Sequence, residues 1–244
     1  MRKLVLIIVV LFCCINSNAQ DTINVSFKNL NTKKITPSTR NYVQYVEHAD
    51  GHISFNTLLN KKIEKVNFNN KKAFLIVQKY QSEQIGINID SSYIDASTMA
   101  PIVYNTDIAT LGYKEKVVFG DKEIINKTVY KDSIKTSTAI NKDFFNVVVV
   151  DEIISALPLE NDKVFLLKCV NPGLNFFEDD IVVTVLGKET LNINNNDIKC
   201  WKLKVYNTLS KSSTINWYAE DGLYQMKMLF NNNGISFIRA LLYI

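Results

Sequence analysis

Short segments in which apolar and polar residues alternate constrain this chain more than any other feature of its sequence. In one such segment, Trp201, Leu203 and Val205 share one side, while Lys202 and Lys204 share the other. A period of two buries one face of a strand and leaves the other in water, as in antiparallel sheets. Turn signals separate these segments, at 50–51, 69–70, 120–121, 194–196, 221–222 and 231–234. The pattern predicts a mainly β fold of roughly a dozen strands, arranged as a barrel or a sandwich.

One segment, residues 141–157, breaks the alternation and contains no turn residue. Asn141 or Asp143 could cap the start of a helix, and Pro158 would end it. The β-branched run 147–150 is a poor local helix former, but the apolar positions do not alternate as in a strand. The segment therefore predicts one main helix, at about 141–157.

The first twenty residues have the organisation of a secretory signal peptide. Arg2 and Lys3 precede an apolar run at 4–14, and Ala19 is a small residue suited to cleavage. The eleven apolar residues fall short of the ~20 that a membrane-spanning helix needs. Lipid attachment at Cys13 or Cys14 is the less favoured alternative, because the residues before them are not small.

Cleavage after Ala19 would leave a mature chain of 225 residues with a formal charge of +2, since Arg2 and Lys3 are removed. So small a charge argues against a nucleic-acid partner. We predict a signal peptide at 1–19, a loosely held N-terminal segment at 20–40 and a single β domain at 41–244. The expected location is the periplasm or the periphery of the outer membrane, with secretion and peripheral membrane association left open.

Two cysteines, Cys169 and Cys200, remain in the mature chain. Each is predicted to lie in a strand, with the strand around 182–186 between them. In a meander the outer two of three strands are roughly 9–10 Å apart. That separation exceeds the ~7 Å limit for the Cα atoms of a disulfide. Two free thiols are the favoured interpretation, although an exported protein could form the bond.

Recognisable catalytic, cofactor and metal motifs are lacking. His48 and His52 flank a predicted turn, and no third ligand stands at a suitable spacing. The acidic run Glu178-Asp179-Asp180 does not converge on one point, as paired catalytic carboxylates must. No Gly-x-Ser-x-Gly elbow or Gly-rich phosphate loop is present. We predict no catalytic residue, no cofactor and no metal, and an enzyme remains the third hypothesis.

Aromatic and apolar residues are the remaining candidates for a binding site. They would line an apolar cavity between the sheet and the helix, with ordinary core packing as the alternative. The predicted cavity-lining residues are Phe144, Val148, Leu157, Trp201, Leu203, Trp217, Tyr224 and Met226.

The order of motifs over about 90–242 resembles an uncharacterised family of exported bacterial β proteins related to the lipoprotein-carrier (LolA/LolB-like) half-barrels. The motifs are Tyr93-Ile94-Asp95 with Thr98-Met99-Ala100-Pro101, Ser155-Ala156-Leu157-Pro158, Cys200-Trp201-Lys202, and Asn216-Trp217-Tyr218 before an acidic turn. The resemblance implies a curved antiparallel sheet, or half-open barrel, wrapped around one main helix and enclosing an apolar cavity. Gln225-Met226 stands where the family usually has a proline. The resemblance therefore supports the family's fold for this chain better than it supports the family's ligand.

Two functions follow as leading hypotheses. The first is a non-catalytic binding or carrier protein for an apolar or lipid-like ligand. The second is a structural or interaction module of the cell envelope, in which a sheet face or edge docks a partner protein.

Overall fold

The computed structural model describes residues 21–84, 86–172, 176–193 and 195–242. The predicted signal peptide, residues 1–19, lies outside the described residues, as does Gln20. No helix in the described ranges is both long enough and apolar enough to cross a membrane.

In the part of the chain that the structure describes, sixteen strands form one sheet. Their bounds are Thr22–Asn24 (β1), Ser38–Glu47 (β2), Ile53–Phe68 (β3), Lys71–Ser82 (β4), Gly86–Asp95 (β5), Pro101–Ile108 (β6), Tyr113–Phe119 (β7), Glu123–Tyr130 (β8), Ser133–Ile140 (β9), Phe145–Asn146 (β10), Val164–Asn171 (β11), Phe177–Ile193 (β12), Asn196–Asn207 (β13), Ser212–Ala219 (β14), Gln225–Asn232 (β15) and Ile235–Leu241 (β16). One α-helix, Val150–Ala156 (α1), follows β10. The 3-10 helices are Phe27–Asn29, Thr32–Lys34, Ala109–Leu111 and Val147–Val149.

The sheet consists of two antiparallel meanders joined side by side. Strands β2 to β9 form one meander and β11 to β16 the other, and β16 pairs with β2 to connect them. Strands β1 and β10 both lie parallel to β11. The sheet ends at β9 on one side and does not close into a barrel. The predicted fold, a curved and mostly antiparallel sheet around one helix, is confirmed.

The helix is shorter than its predicted span of 141–157. Asp143 has a φ of 59°, in the left-handed region, so no helix can run through it. Residues Phe145 and Asn146 form β10 instead. The Asn146 side chain then accepts a hydrogen bond from the Val148 backbone N–H at 3.0 Å, which caps the first turn. The predicted start was therefore wrong, whereas the end before Pro158 is confirmed.

The main core lies between the sheet and α1. Ile153 and Ile154 of the helix are fully buried there, against inward residues of β3, β4 and β11 to β13. Segment 21–40, predicted as loosely held, contributes Val25, Leu30 and Ile35 to this same core. The Asn31 backbone N–H also donates to the Ala156 carbonyl at 2.9 Å. The N-terminal segment thus packs over the C-terminal end of the helix.

Cys169 and Cys200 are both buried and both free. Cys169 lies on β11 and Cys200 on β13, with β12 hydrogen-bonded between them. This is the three-strand arrangement that the sequence predicts, and the favoured interpretation of two free thiols is confirmed.

Candidate functional site

The eight residues predicted to line one cavity are divided among three hydrophobic clusters. The main core contains Leu157 and Leu203, with Trp201 packed against it; a second cluster contains Trp217 and Met226, with Tyr224 against it; a third contains Phe144, with Val148 against it. All eight therefore pack against other side chains of the protein. A ligand placed among them would have to displace core contacts.

Both indole rings have lysine ammonium groups over or near their faces. The Lys188 Nζ lies 4.6 Å from the centre of the Trp201 ring. Lys202 and Lys227 lie 5.6 and 5.4 Å from the Trp217 ring, whose Nε1–H donates to Glu189 at 3.2 Å. These contacts occupy the polar atom of Trp217 and the ring faces that a ligand would use.

A cluster of buried charges, which we call the ion cluster, joins helix α1 to the sheet. It consists of Lys61 on β3, Asp151 and Glu152 on α1, and Arg239 on β16. The Lys61 ammonium lies 2.8 Å from Glu152 and 3.1 Å from Asp151. Arg239 Nη1 donates to the same Asp151 oxygen, Oδ2, at 3.0 Å. Two cations thus face two carboxylates, so the formal charges balance.

The second oxygen of Asp151 is also fully used. Its Oδ1 accepts hydrogen bonds from the Tyr218 hydroxyl at 3.0 Å and from Gln225 Nε2 at 3.1 Å. Gln225 is buried, as is its neighbour Met226 on β15. Trp217 is opposite Lys227 and Tyr218 is opposite Gln225, so Met226 is an extra, bulged residue of β15, which lets both Gln225 and Met226 be buried.

Burial raises the pKa of both carboxyls and the neighbouring cations lower it, but the net result differs between Asp151 and Glu152. Burial alone would raise the pKa of Asp151, but Lys61 and Arg239 outweigh it and lower that pKa to about 2. The pKa of Glu152 is raised, because its burial outweighs the attraction of Lys61. Asp151 is the stable anion of the pair.

A small cavity of about 20 Å³ lies beside the ion cluster. Glu152 and Tyr224 help to line it, and the Arg40 guanidinium lies 4.3 Å from the centre of the Tyr224 ring. The Oε2 atom of Glu152 is buried without a hydrogen-bond partner in the described structure. A cavity of this size holds about one water molecule. The ion cluster therefore suits a structural role better than the binding of an organic ligand.

Reasoning from the sequence missed the ion cluster. The available signal was Lys61, which stands between Leu59 and Ile63 on the apolar side of an alternating strand. A lysine in that position is buried only where anions meet it. Its partners, Asp151 and Glu152, lie about ninety residues later in the chain, and the alternation of apolar and polar residues along β3 does not identify them.

Part of the inner face of β5 to β8 is polar, although Val117, Phe119 and Ile124 on the same face belong to the third hydrophobic cluster. Asp90 accepts a hydrogen bond from the Tyr104 hydroxyl at 3.2 Å, and Glu115 accepts one from Asn126. All four side chains are buried. Burial raises the pKa of both carboxyls despite these hydrogen bonds. This part of the sheet is consequently a poor lining for an apolar chain.

An open cleft of about 450 Å³ lies beside the β3–β4 hairpin, next to the 3-10 helix Thr32–Lys34. We call it the Phe74 cleft. Buried Ala73 and Phe74 line it together with Val66 and Ala96, and Thr32, Asn67, Lys33, Lys65 and Lys72 complete the lining.

The Phe74 cleft is cationic as well as apolar. Lys33, Lys65 and Lys72 are exposed, and no carboxyl group lines the cleft. Within the described ranges, none of the three lysines forms a salt bridge. Such a lining can accept an apolar group at Phe74 and an anionic group at the lysines.

The two histidines lie near each other beside the turn between β2 and β3. His48 and His52 lie with ring centres 5.7 Å apart, and His48 Nε2 is 2.7 Å from the Ser54 hydroxyl. Among the residues that the structure describes, no group of three or more His, Cys, Asp or Glu side chains could hold a metal ion.

Several solved structures are similar to this chain. One is the crystal structure of a β-barrel-like protein of domain of unknown function DUF1849 from Brucella abortus, with 9% identity, a TM-score of 0.47, and coverage of 85% of this chain and 98% of that chain. Another is a DUF1329 family protein from Desulfovibrio piger ATCC 29098, with 10% identity, a TM-score of 0.29, and coverage of 88% and 85%. No curated protein matches this chain.

A family model matches most of the folded part of the sequence. This model is DUF3108, described as a protein of unknown function, and it matches residues 52–230. The match begins just before β3 and ends within β15, and so includes α1 and most of both meanders, without β2 and β16. The chain belongs to the DUF3108 family.

Proposed function

We propose that this protein is a non-catalytic binding or carrier protein of the bacterial cell envelope, and that it holds a lipid-like ligand with an anionic head group. The observation that carries the proposal is the Phe74 cleft. Its volume of about 450 Å³ is within the range of small-molecule sites in proteins. The envelope location rests on the predicted signal peptide.

The chemistry of the cleft favours an amphiphile over a purely apolar ligand. An acyl chain against Phe74, Ala73 and Val66 would contribute about 0.8 kcal/mol for each CH2 group removed from water. The carboxylate or phosphate of the same ligand would be near the ammonium groups of Lys33, Lys65 and Lys72. Unlike a site among the eight predicted residues, this one requires no displacement of core side chains.

Native mass spectrometry of protein purified without detergent provides the first test. We expect a discrete adduct that is released on denaturation and yields fatty-acyl fragments. A saturable binding titration with palmitate is the second measurement. Absence of an adduct together with no saturable palmitate binding would overturn the proposal.

Charge reversal at the cleft tests where the ligand binds. Lys72→Glu should weaken palmitate binding by roughly tenfold, because it replaces an attractive charge by a repulsive one. Lys71→Glu is the matched control, since Lys71 is the exposed neighbour on β4 and does not line the cleft. Hexadecanol, which lacks the carboxylate, should bind both variants equally. Equal palmitate binding by the two variants would exclude this cleft.

The other predicted function, docking of a protein partner, is supported by a different feature, the free edge of β9.

A further inference from the structure

Strand β9, Ser133–Ile140, is the last strand of the sheet, and its outer edge is free of any strand that the structure describes. It pairs along its whole length with β8, from Tyr130 opposite Ser133 to Glu123 opposite Ile140. No described strand pairs with its other side. An edge strand of eight residues presents a row of backbone groups that another strand can bind.

The hairpin geometry identifies which residues present those groups. A two-residue turn, Lys131 and Asp132, connects β8 to β9, and Lys131 has the positive φ of 52° that such turns require. In a two-residue hairpin the closing pair, here Tyr130 and Ser133, exchanges both hydrogen bonds, and bonded pairs then alternate. Odd-numbered residues of β9 therefore bond to β8. The N–H and C=O groups of Ile134, Thr136, Thr138 and Ile140 point to the free edge.

The same even-numbered residues carry the exposed apolar side chains of β9. Ile134 is 64% exposed and Ile140 is 71% exposed, the two highest values among the large apolar side chains that the structure describes. They lie on the outer face of the sheet, because Thr138 between them is opposite exposed Ile125, whereas Ala139 is opposite buried Ile124. Natural proteins commonly protect a free edge with charges, proline or a bulge. Lys135 is the single charged residue of this strand.

We propose that β9 pairs in antiparallel orientation with β9 of a second copy of this chain, about a two-fold axis at Ser137. In this register Ile134 of each copy is opposite Ile140 of the other, and Thr136 is opposite Thr138. The backbone N–H and C=O groups of Ile134, Thr136, Thr138 and Ile140 all face the free edge. Each of these residues can therefore exchange backbone hydrogen bonds with the residue opposite it in the other copy. The two exposed isoleucines thereby cover each other, and the sheets of the two copies become continuous.

The single charge of the strand favours this register over its neighbours. With the axis at Ser137, Lys135 is opposite Ala139. With the axis at Lys135, the two lysines would be directly opposite each other, and like charges in that position are destabilising. With the axis at Thr136, each Ile134 would be opposite a threonine, and Ile140 would have no apolar partner. The sequence of β9 is thus self-complementary in one register.

Sedimentation equilibrium over a range of concentrations tests the proposal. The wild-type protein is expected to be dimeric. Ile134→Lys combined with Ile140→Lys puts like charges opposite each other twice, and should raise the dissociation constant by roughly tenfold or more. Ile134→Lys combined with Ile140→Glu puts opposite charges there, and should restore the dimer. Within one chain the two positions are six residues apart, so the charge swap acts only between copies.

Ile53→Lys is the matched control. Ile53 is 51% exposed and lies on β3, six strands away from β9 in the sheet, so this variant should remain dimeric. Thermal unfolding of each variant, followed by circular dichroism, shows whether it is folded. A monomeric wild type, or a folded double-lysine variant that still dimerises, would overturn the proposal. A folded charge-swap variant that stays monomeric would overturn the register.

Discussion

The ammonium group of Lys61 and the carboxylate of Asp151 lie 3.1 Å apart, and they connect β3 to helix α1 across 90 residues of sequence. The Lys61 side chain is only 5% exposed, so its charge is compensated by these partners rather than by bulk water. Because Asp151 also binds residues of β14, β15 and β16, the pair holds the helix to both meanders of the sheet.

Lys61→Met should destabilise the protein strongly. The methionine fills a similar volume but leaves the buried Glu152 carboxyl without its cation and Asp151 with one cation fewer. Removing one partner of a buried ion pair typically costs about 3–5 kcal/mol of unfolding free energy. Urea unfolding followed by circular dichroism measures the loss. Lys62→Met is the control, because Lys62 forms an exposed pair with Glu64 at 2.9 Å and should contribute less than about 1 kcal/mol. Similar losses in the two variants would show that the ion cluster does not hold the helix.

Asp90→Asn combined with Glu115→Gln should stabilise the protein more at pH 7 than at pH 5. Burial raises the pKa of both carboxyls in the folded state. Their contribution to stability is therefore present below the ordinary carboxyl pKa and is lost as the pH rises through the raised values. The amide variants keep the oxygen that accepts from Tyr104 or Asn126 and remove the charge. Urea unfolding at the two pH values measures the difference. Asp107→Asn, at an exposed carboxylate, is the control, and an equal pH dependence in the two variants would contradict the prediction.

Asp95→Ala should unfold the turn between β5 and β6. The Oδ1 atom of Asp95 accepts hydrogen bonds from the backbone N–H and the hydroxyl of both Ser97 and Thr98. We expect a loss of about 1–2 kcal/mol in unfolding free energy. Asp95→Asn keeps an acceptor oxygen and should lose less. A larger loss in the asparagine variant would contradict this account of the turn.

The charge of Asp95 adds a dependence on pH. Burial alone would raise its pKa, but the hydrogen bonds from Ser97 and Thr98 outweigh it and lower that pKa. The stabilisation is therefore complete above the ordinary carboxyl pKa and is lost as the pH falls below it. Thermal melts between pH 6 and about pH 3 should show a smaller decrease for Asp95→Asn than for the wild type.

Cys169 and Cys200 should resist thiol reagents in the native protein. Burial raises the pKa of both thiols, that of Cys200 to about 11, so the reactive thiolate is scarce at neutral pH. Mass spectrometry after brief exposure to iodoacetamide should find both residues unmodified, and both alkylated once urea unfolds the protein. Rapid alkylation of either residue under native conditions would show local opening of its strand.

The sequence predicted the type of most elements because strand alternation is a local property. The Trp201 segment, the hairpins and the strand between the two cysteines follow from residues that are neighbours in the chain. The start of the helix could not be predicted in this way. Phe145 and Asn146 pair with β11 instead, and the residues they meet, Cys169 and Val170, come later in the chain.

The binding site was harder to predict than the fold. Trp201 and Trp217 are large and apolar, but those properties suit a core position as well as a cavity. The Phe74 cleft depends on the N-terminal Lys33 lying beside the β3–β4 hairpin, and only long-range packing places it there.

By itself, the sequence determined a mainly β fold, one helix that ends before Pro158, and two free thiols. These features depend on periodicity, turn residues and spacing, which are properties of residues close together in the sequence. The tertiary structure alone decided that Lys61 pairs with Asp151, that Gln225 is buried, and that three lysines line the Phe74 cleft. Each of these depends on which distant strands become neighbours, because charges and side chains interact through space and the alternation of a single strand contains no information about its partners.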